Sequence, residues 1–263
     1  MIHESDVEGA AATRPTGSTA LVIAYGNFLF RYRNGLFPVT IGTVFFWFPP
    51  VFAGGSLARD LWLDLLGALV VVMGLGIRAM VVSLAYIRRG GLNKRVYAEG
   101  LVTEGLFSCS RNPIYVGNLL MMLGYLLVHN SPWAYLLGGG FILLSYRAIV
   151  AAEEHYLSRT FGAAYQAYCR DVPRWRIRLA RLREVLAKST FNWRRVVIKD
   201  YATIMFAIII VSGLVADEFV FAEGWAASRS VLILVGVVWA LAFLGGIVVR
   251  VLKKTGRLTA GPS

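Results

Sequence analysis

Residues 230–249 of this chain carry no charged side chain, and five more apolar runs precede them, at 36–53, 61–87, 113–128, 132–152 and 201–215. The fifth run extends with little interruption to residue 221. As an α-helix, a segment of roughly 20 apolar residues crosses the ~30 Å hydrocarbon core of a bilayer. A helix also satisfies its own backbone polar groups, which lipid cannot do. Hydrophobic residues make up 57% of the chain and charged residues only 16%, a composition unsuited to a soluble domain of this size. The expected fold is all-α. It is a polytopic membrane protein of about six transmembrane helices, with cytoplasmic loops and an interfacial basic helix. Asn130-Ser131-Pro132 turns between the third and fourth runs, which therefore read as a helical hairpin.

Charge sets the orientation. The formal net charge is +12, which in a soluble chain would suggest nucleic acid. Here the basic residues flank apolar runs. With a cytoplasmic N-terminus, all of the 27 Lys and Arg except Arg59, Arg78 and Arg229 fall in cytoplasmic segments or within a turn of them. Asp217, Glu218 and Glu223 then lie toward the outer side. Both termini are expected inside by the positive-inside rule, with no nucleic-acid partner and membrane lipids as neighbours. Cys109 and Cys169 map to the reducing side, and neither has a second Cys or His at metal-ligand spacing. No disulfide and no metal site is expected from them.

Four regions follow. Residues 1–30 open as a polar tail without a secretory pattern, so the first helix is expected to act as the insertion signal. Residues 31–174 form a four-helix core with cytoplasmic elaborations. Residues 175–199 form a basic connector, in which Trp175, Leu179, Leu182 and Leu186 mark one apolar helix face and Arg176, Arg178, Arg181, Arg183 and Lys188 occupy much of the rest. That pattern suits a helix lying on an anionic leaflet. Residues 200–263 add a two-helix hairpin and a basic tail. Arg78 lies near the midplane of the second run and needs a partner or a polar cavity there.

At the mouth of the third run stands Arg111-Asn112-Pro113-Ile114-Tyr115, and at the exit of the fourth stands Glu153-Glu154. Ionisable groups at a membrane edge are functional candidates by default. Phe161-Gly162, Tyr165, Tyr168 and Val172-Pro173-Arg174 follow, and Leu101-Val102-Thr103-Glu104-Gly105 precedes. Together these motifs resemble the isoprenylcysteine carboxyl methyltransferase and phospholipid methyltransferase superfamily, over roughly residues 66–174. Members use S-adenosylmethionine inside the membrane, so the resemblance implies that cofactor, and the Lys/Arg asymmetry predicts a cytoplasmic active site.

It also implies roles for particular residues. Gly100, Leu101, Val102 and Phe107 would meet the adenine, and Asn112, Pro113, Ile114 and Tyr115 the amino-acid end and the sulfonium. Glu153 would accept from the ammonium or the ribose. Arg111 would pair with a carboxylate of the cofactor, of the substrate or of Glu154. Arg111, Asn112 and Tyr115 stand nearest the chemistry. Phe107 replaces the family's usual Tyr, Asn112 its usual His, and Ile149 the Arg that contacts prenylcysteine substrates. Arg78 and Arg147 are then the basic residues available to an acceptor.

The activity implied is methyl transfer to a lipidic or membrane-partitioned acceptor, closest to the isoprenylcysteine carboxyl type. Methylation of a phospholipid amine is the alternative on the same scaffold. An NADPH-dependent sterol or enone reductase and a non-enzymatic membrane scaffold are the alternatives of other classes.

Overall fold

The computed structural model describes residues 17–84, 90–92, 95–98 and 100–259. Its elements run α1 (Ser18–Trp47), α2 (Leu57–Leu84), β1 (Gly90–Leu92), β2 (Arg95–Ala98), α3 (Pro113–His129), α4 (Gly140–Asp171), α5 (Leu179–Lys188), α6 (Trp193–Ala227) and α7 (Arg229–Lys254). A π-helical stretch, Ala134–Gly139, leads directly into α4. The fold is all-α in class, with β1 and β2 paired as a small antiparallel hairpin. Among the described residues, Leu57–Leu84, Ala134–Asp171, Trp193–Ala227 and Arg229–Lys254 are long and apolar enough to cross a membrane, and α3 is a shorter apolar helix.

Several helix ends depart from expectation. α1 begins at Ser18, so residues 18–30 belong to a helix and not to a tail. Residues 1–16, and 85–87 at the end of the second expected span, lie outside the described residues. α4 continues past residue 152 to Asp171, with a bend at Gly162, and carries the Glu pair on its unbroken first part. α5 starts at Leu179, not near Arg174. Pro173 explains the delay, because the residue before a proline is driven out of helical geometry, and Val172 is extended at φ −120°. The backbone that follows is held elsewhere. The Arg111 N–H donates to the Pro173 carbonyl at 2.9 Å, and the Arg178 N–H to the Cys109 carbonyl at 3.2 Å. α5 buries none of its residues, and Leu179 and Leu186 stay exposed.

Packing is closest between α2 and α3. A Cβ added at Gly74 would lie 2.5 Å from the Gly117 carbonyl oxygen, and one at Gly124 would lie 2.5 Å from that of Gly67. Small residues at such crossings let helix backbones approach in lipid, where close packing replaces hydrophobic drive. α1 packs on α4, α6 on α2 and α3, and α7 on α6. The terminal hairpin therefore joins the core through α6, while α7 buries no residue within the chain.

Candidate active site

Where α1, β2, α3 and α4 meet, a cavity of about 330 Å³ opens, within the ~300–1,000 Å³ usual for small-ligand sites. Its walls include Gly100, Leu101, Val102 and Phe107 from the loop before α3, Arg111, Asn112, Ile114 and Tyr115 from the start of α3, and Glu153 and Glu154 from α4. Pro113 is buried at the first position of α3 and does not line the cavity. At that position its missing N–H and fixed φ suit a helix start.

The loop and the motif are stitched to the segment after α4. Asn112 Nδ2 donates to the Arg174 carbonyl at 3.0 Å, and the Arg111 N–H bonds Pro173. Tyr168 Oη donates to the Phe107 carbonyl at 2.7 Å. Asn112 thus anchors its own loop as well as facing the cavity. These bonds also give the Val172-Pro173-Arg174 tail a task, since its carbonyls receive the motif's donors.

Gly162 makes the geometry of α4 workable. Its backbone sits at φ 48°, ψ −122°, outside helical values and in a region that L side chains rarely adopt. The helix bends there, and Tyr165 and Tyr168 beyond the bend return to the cavity wall.

Polar groups converge in two chains. Tyr115 Oη donates to Glu153 Oε1 at 2.7 Å and accepts from Arg33 Nη1 at 3.0 Å. Arg111 Nη1 pairs with Glu154 Oε1 at 3.1 Å and donates to Cys169 Sγ, and Arg174 engages Glu154 from the other side. Of the carboxylates open to Arg111 from the sequence, Glu154 is the one within the chain, and it is paired here through Nη1. Burial alone would lower the Arg111 pKa, but Glu154 foremost, with Cys169, holds it above its ordinary value. Its buried Nε has no hydrogen-bond partner among the described residues.

Arg78 and Arg147 are not brought to this cavity. Arg78 bonds both oxygens of Asp200, at 2.5 and 3.1 Å, and Asn118 Oδ1. Arg147 is exposed. Arg33 was not among the expected site residues. It precedes the motif region on α1, and only the packing of α1 against α4 reveals it. Beside the cavity lies a second, more open one of about 810 Å³, between α1 and α4. Arg31, His155 and Arg159 line it, and Val96 and Tyr156 border both.

A family profile described as phospholipid methyltransferase matches residues 62–164, the stretch holding α2, α3 and the Glu pair. The chain is 31% identical over 171 residues to the nickel-cobalt-cadmium resistance protein NccN of Alcaligenes xylosoxydans xylosoxydans, covering 63% of this chain and 72% of that one. It is 30% identical over 172 residues to the cobalt-zinc-cadmium resistance protein CzcN of Cupriavidus metallidurans, covering 63% and 73%. It is also 27% identical over 120 residues to protein-S-isoprenylcysteine O-methyltransferase B of Arabidopsis thaliana, covering 45% and 61%. No solved structure matches it significantly. With a matching profile, a plant methyltransferase relative and the motif residues around one cavity, the chain belongs to the isoprenylcysteine carboxyl methyltransferase and phospholipid methyltransferase superfamily of membrane proteins.

Proposed function

We propose that this protein moves a methyl group from S-adenosylmethionine to a lipidic or membrane-partitioned acceptor. One observation carries the reading: the 100–102 loop, Arg111, Asn112, Ile114, Tyr115 and Glu153 surround one cavity that adjoins an open basic pocket. The residues present fit the cofactor. Glu153, held by Tyr115, would accept from its ammonium group, and the unpartnered Arg111 Nε is a donor for its carboxylate. Phe107, Tyr165 and Tyr168 supply an aromatic wall for adenine.

The cofactor, when bound, supplies a methyl group already activated on a sulfonium. What remains for the chain is to orient the acceptor and exclude water, which is where most of the acceleration in such a transfer arises. A carboxylate acceptor is ionised at neutral pH and needs no general base, whereas an amine must first lose a proton. Arg31, His155 and Arg159 in the adjoining pocket favour an acceptor with a negatively charged head.

The test is calorimetric binding of S-adenosylhomocysteine to the detergent-purified protein, followed by transfer of radiolabelled methyl into total lipid extract. Base-labile label identifies an ester, and base-stable label in a head group identifies the phospholipid amine. Absence of both binding and transfer would sink the reading.

Two bacterial relatives named for metal resistance favour a second, physiological reading, in which the methylation contributes to tolerance of metal ions. It predicts a metal-sensitive deletion strain, rescued by the wild-type chain but not by Glu153→Gln.

A further inference from the structure

Far from the cavity, at the opposite end of α2, three carboxylates converge. Asp60 and Asp64 lie one turn apart at the start of α2, and Glu218 faces them from the far end of α6. One oxygen from each lies within 4.8 Å of the others. Asp60 is 0% exposed, Glu218 1% and Asp64 6%.

Their hydrogen bonding singles them out. Asp60 Oδ1 accepts from the Ala53 N–H and from Asn130 Nδ2, both at 3.0 Å. Asn130 is itself fixed, donating to the Val51 carbonyl at 2.6 Å and accepting from Tyr135 Oη at 3.2 Å. These contacts orient Asp60 so that Oδ2 is left over. Among the described residues no N–H or hydroxyl donor reaches the buried Asp60 Oδ2 or either oxygen of Asp64 and Glu218, and the Asp64 and Glu218 carboxyl groups lie within hydrogen-bonding reach of each other alone. None of the ion pairs among the described residues involves them. Arg59, next in sequence, instead lays its guanidinium against Gly54.

Buried carboxylates in nearly every case are paired, protonated or bound to metal. Two oxygens on opposite sides of one Ca²⁺, each at ~2.4 Å, are ~4.8 Å apart, so the spacing here suits a shared ion. The three ligands are all oxygen, with no thiolate or imidazole among them, and such a set suits hard cations of the Mg²⁺, Ca²⁺ or Mn²⁺ class. The Ala53 N–H and Asn130 Nδ2 hold Asp60 Oδ1 in the way that outer hydrogen bonds ordinarily aim a metal ligand.

We propose that Asp60, Asp64 and Glu218 together bind one hard divalent cation, which ties the terminal hairpin to the core. The ion closes one end of the antiparallel α2–α6 contact, and Arg78 with Asp200 closes the other. The Cys and His spacing of the sequence gave no hint of it, because its ligands come from helices far apart in the chain.

The test uses the full chain in detergent, stripped with chelator and titrated with Mn²⁺. Electron paramagnetic resonance should detect one bound Mn²⁺ per chain, displaceable by Ca²⁺ or Mg²⁺, with a rise in Tm on binding. Asp64→Asn and Glu218→Gln should each weaken that binding at least tenfold. Iron-catalysed cleavage of the wild-type protein, mapped by mass spectrometry, locates the ion without substitution and so does not depend on either variant folding. Cuts should cluster at residues 60–64 and near 218. No bound Mn²⁺ at millimolar concentration, binding unchanged in both variants, cuts elsewhere, or a stability that follows pH alone would each overturn the proposal, the last indicating shared protons.

Discussion

Glu153 occupies the most telling position of any single side chain, because its carboxylate accepts from Tyr115, whose hydroxyl in turn accepts from Arg33, inside the cavity. Replacing it with Gln keeps the shape and removes the charge. Glu153→Gln should weaken binding of S-adenosylhomocysteine by about 1.5–3 kcal/mol, the range for a hydrogen bond to a charged group, with Tm preserved. Unchanged calorimetric affinity in a folded variant would remove Glu153 from the site. Glu154 has a different task, since Arg111 and Arg174 share it. The carboxylate pair was legible in the sequence, but the division of labour within it was not, because that depends on which helix face meets which loop.

Two elements carry predictions of their own. α4 bends at Gly162, where a Cβ meets no neighbour but the backbone disfavours any L side chain. Gly162→Ala should therefore destabilise by about 1–3 kcal/mol through conformation alone, and should loosen the Tyr165 and Tyr168 wall. Thermal unfolding with a binding titration checks both. α2 and α6 are joined by Arg78 and Asp200, whose side chains are 15% and 6% exposed. Asp200→Asn leaves the Arg78 guanidinium without its counter-charge and should cost roughly 3–5 kcal/mol. Arg78→Met combined with Asp200→Asn should be milder than the single change, because no unpaired cation remains. If the double variant is the less stable of the two, the pair does not work as a clamp. Arg78 had been legible as a charge needing a partner, but not its partner, since Asp200 lies on a helix 122 residues away.

At the scale of the whole molecule, the proposed active site lies among the basic segments, from which we propose that it faces the cytoplasm. Cysteine labelling should find residues 104 and 160 accessible from that side, and labelling from outside would overturn both orientation and mechanism. The acceptor, by contrast, is expected to arrive through the bilayer, by way of the open pocket between α1 and α4. In a series with one head group and graded tails, each buried methylene contributes about 0.8 kcal/mol. The apparent KM should fall about fourfold per methylene while turnover stays nearly constant. A short, soluble acceptor that reacts as efficiently as its long-chain relatives would refute lateral access.

Hydrophobic runs and local motifs were enough to read the helical membrane class, the turn at Asn130, and the Arg111–Tyr115 and Glu153–Glu154 motifs as candidates, because each depends on residues close together in the chain. Helix ends were less legible: α4 runs on through its Glu pair, and α5 is delayed by Pro173 and by carbonyls committed to the α3 motif. Only the tertiary structure decided that Arg33 reaches Tyr115, that Arg78 meets Asp200, and that Asp60 and Asp64 face Glu218. Each of these joins residues on helices distant in sequence. Periodicity shows that a helix has a polar residue, but partners are chosen by the register in which helices pack, and here glycines at the α2–α3 crossing help set that register.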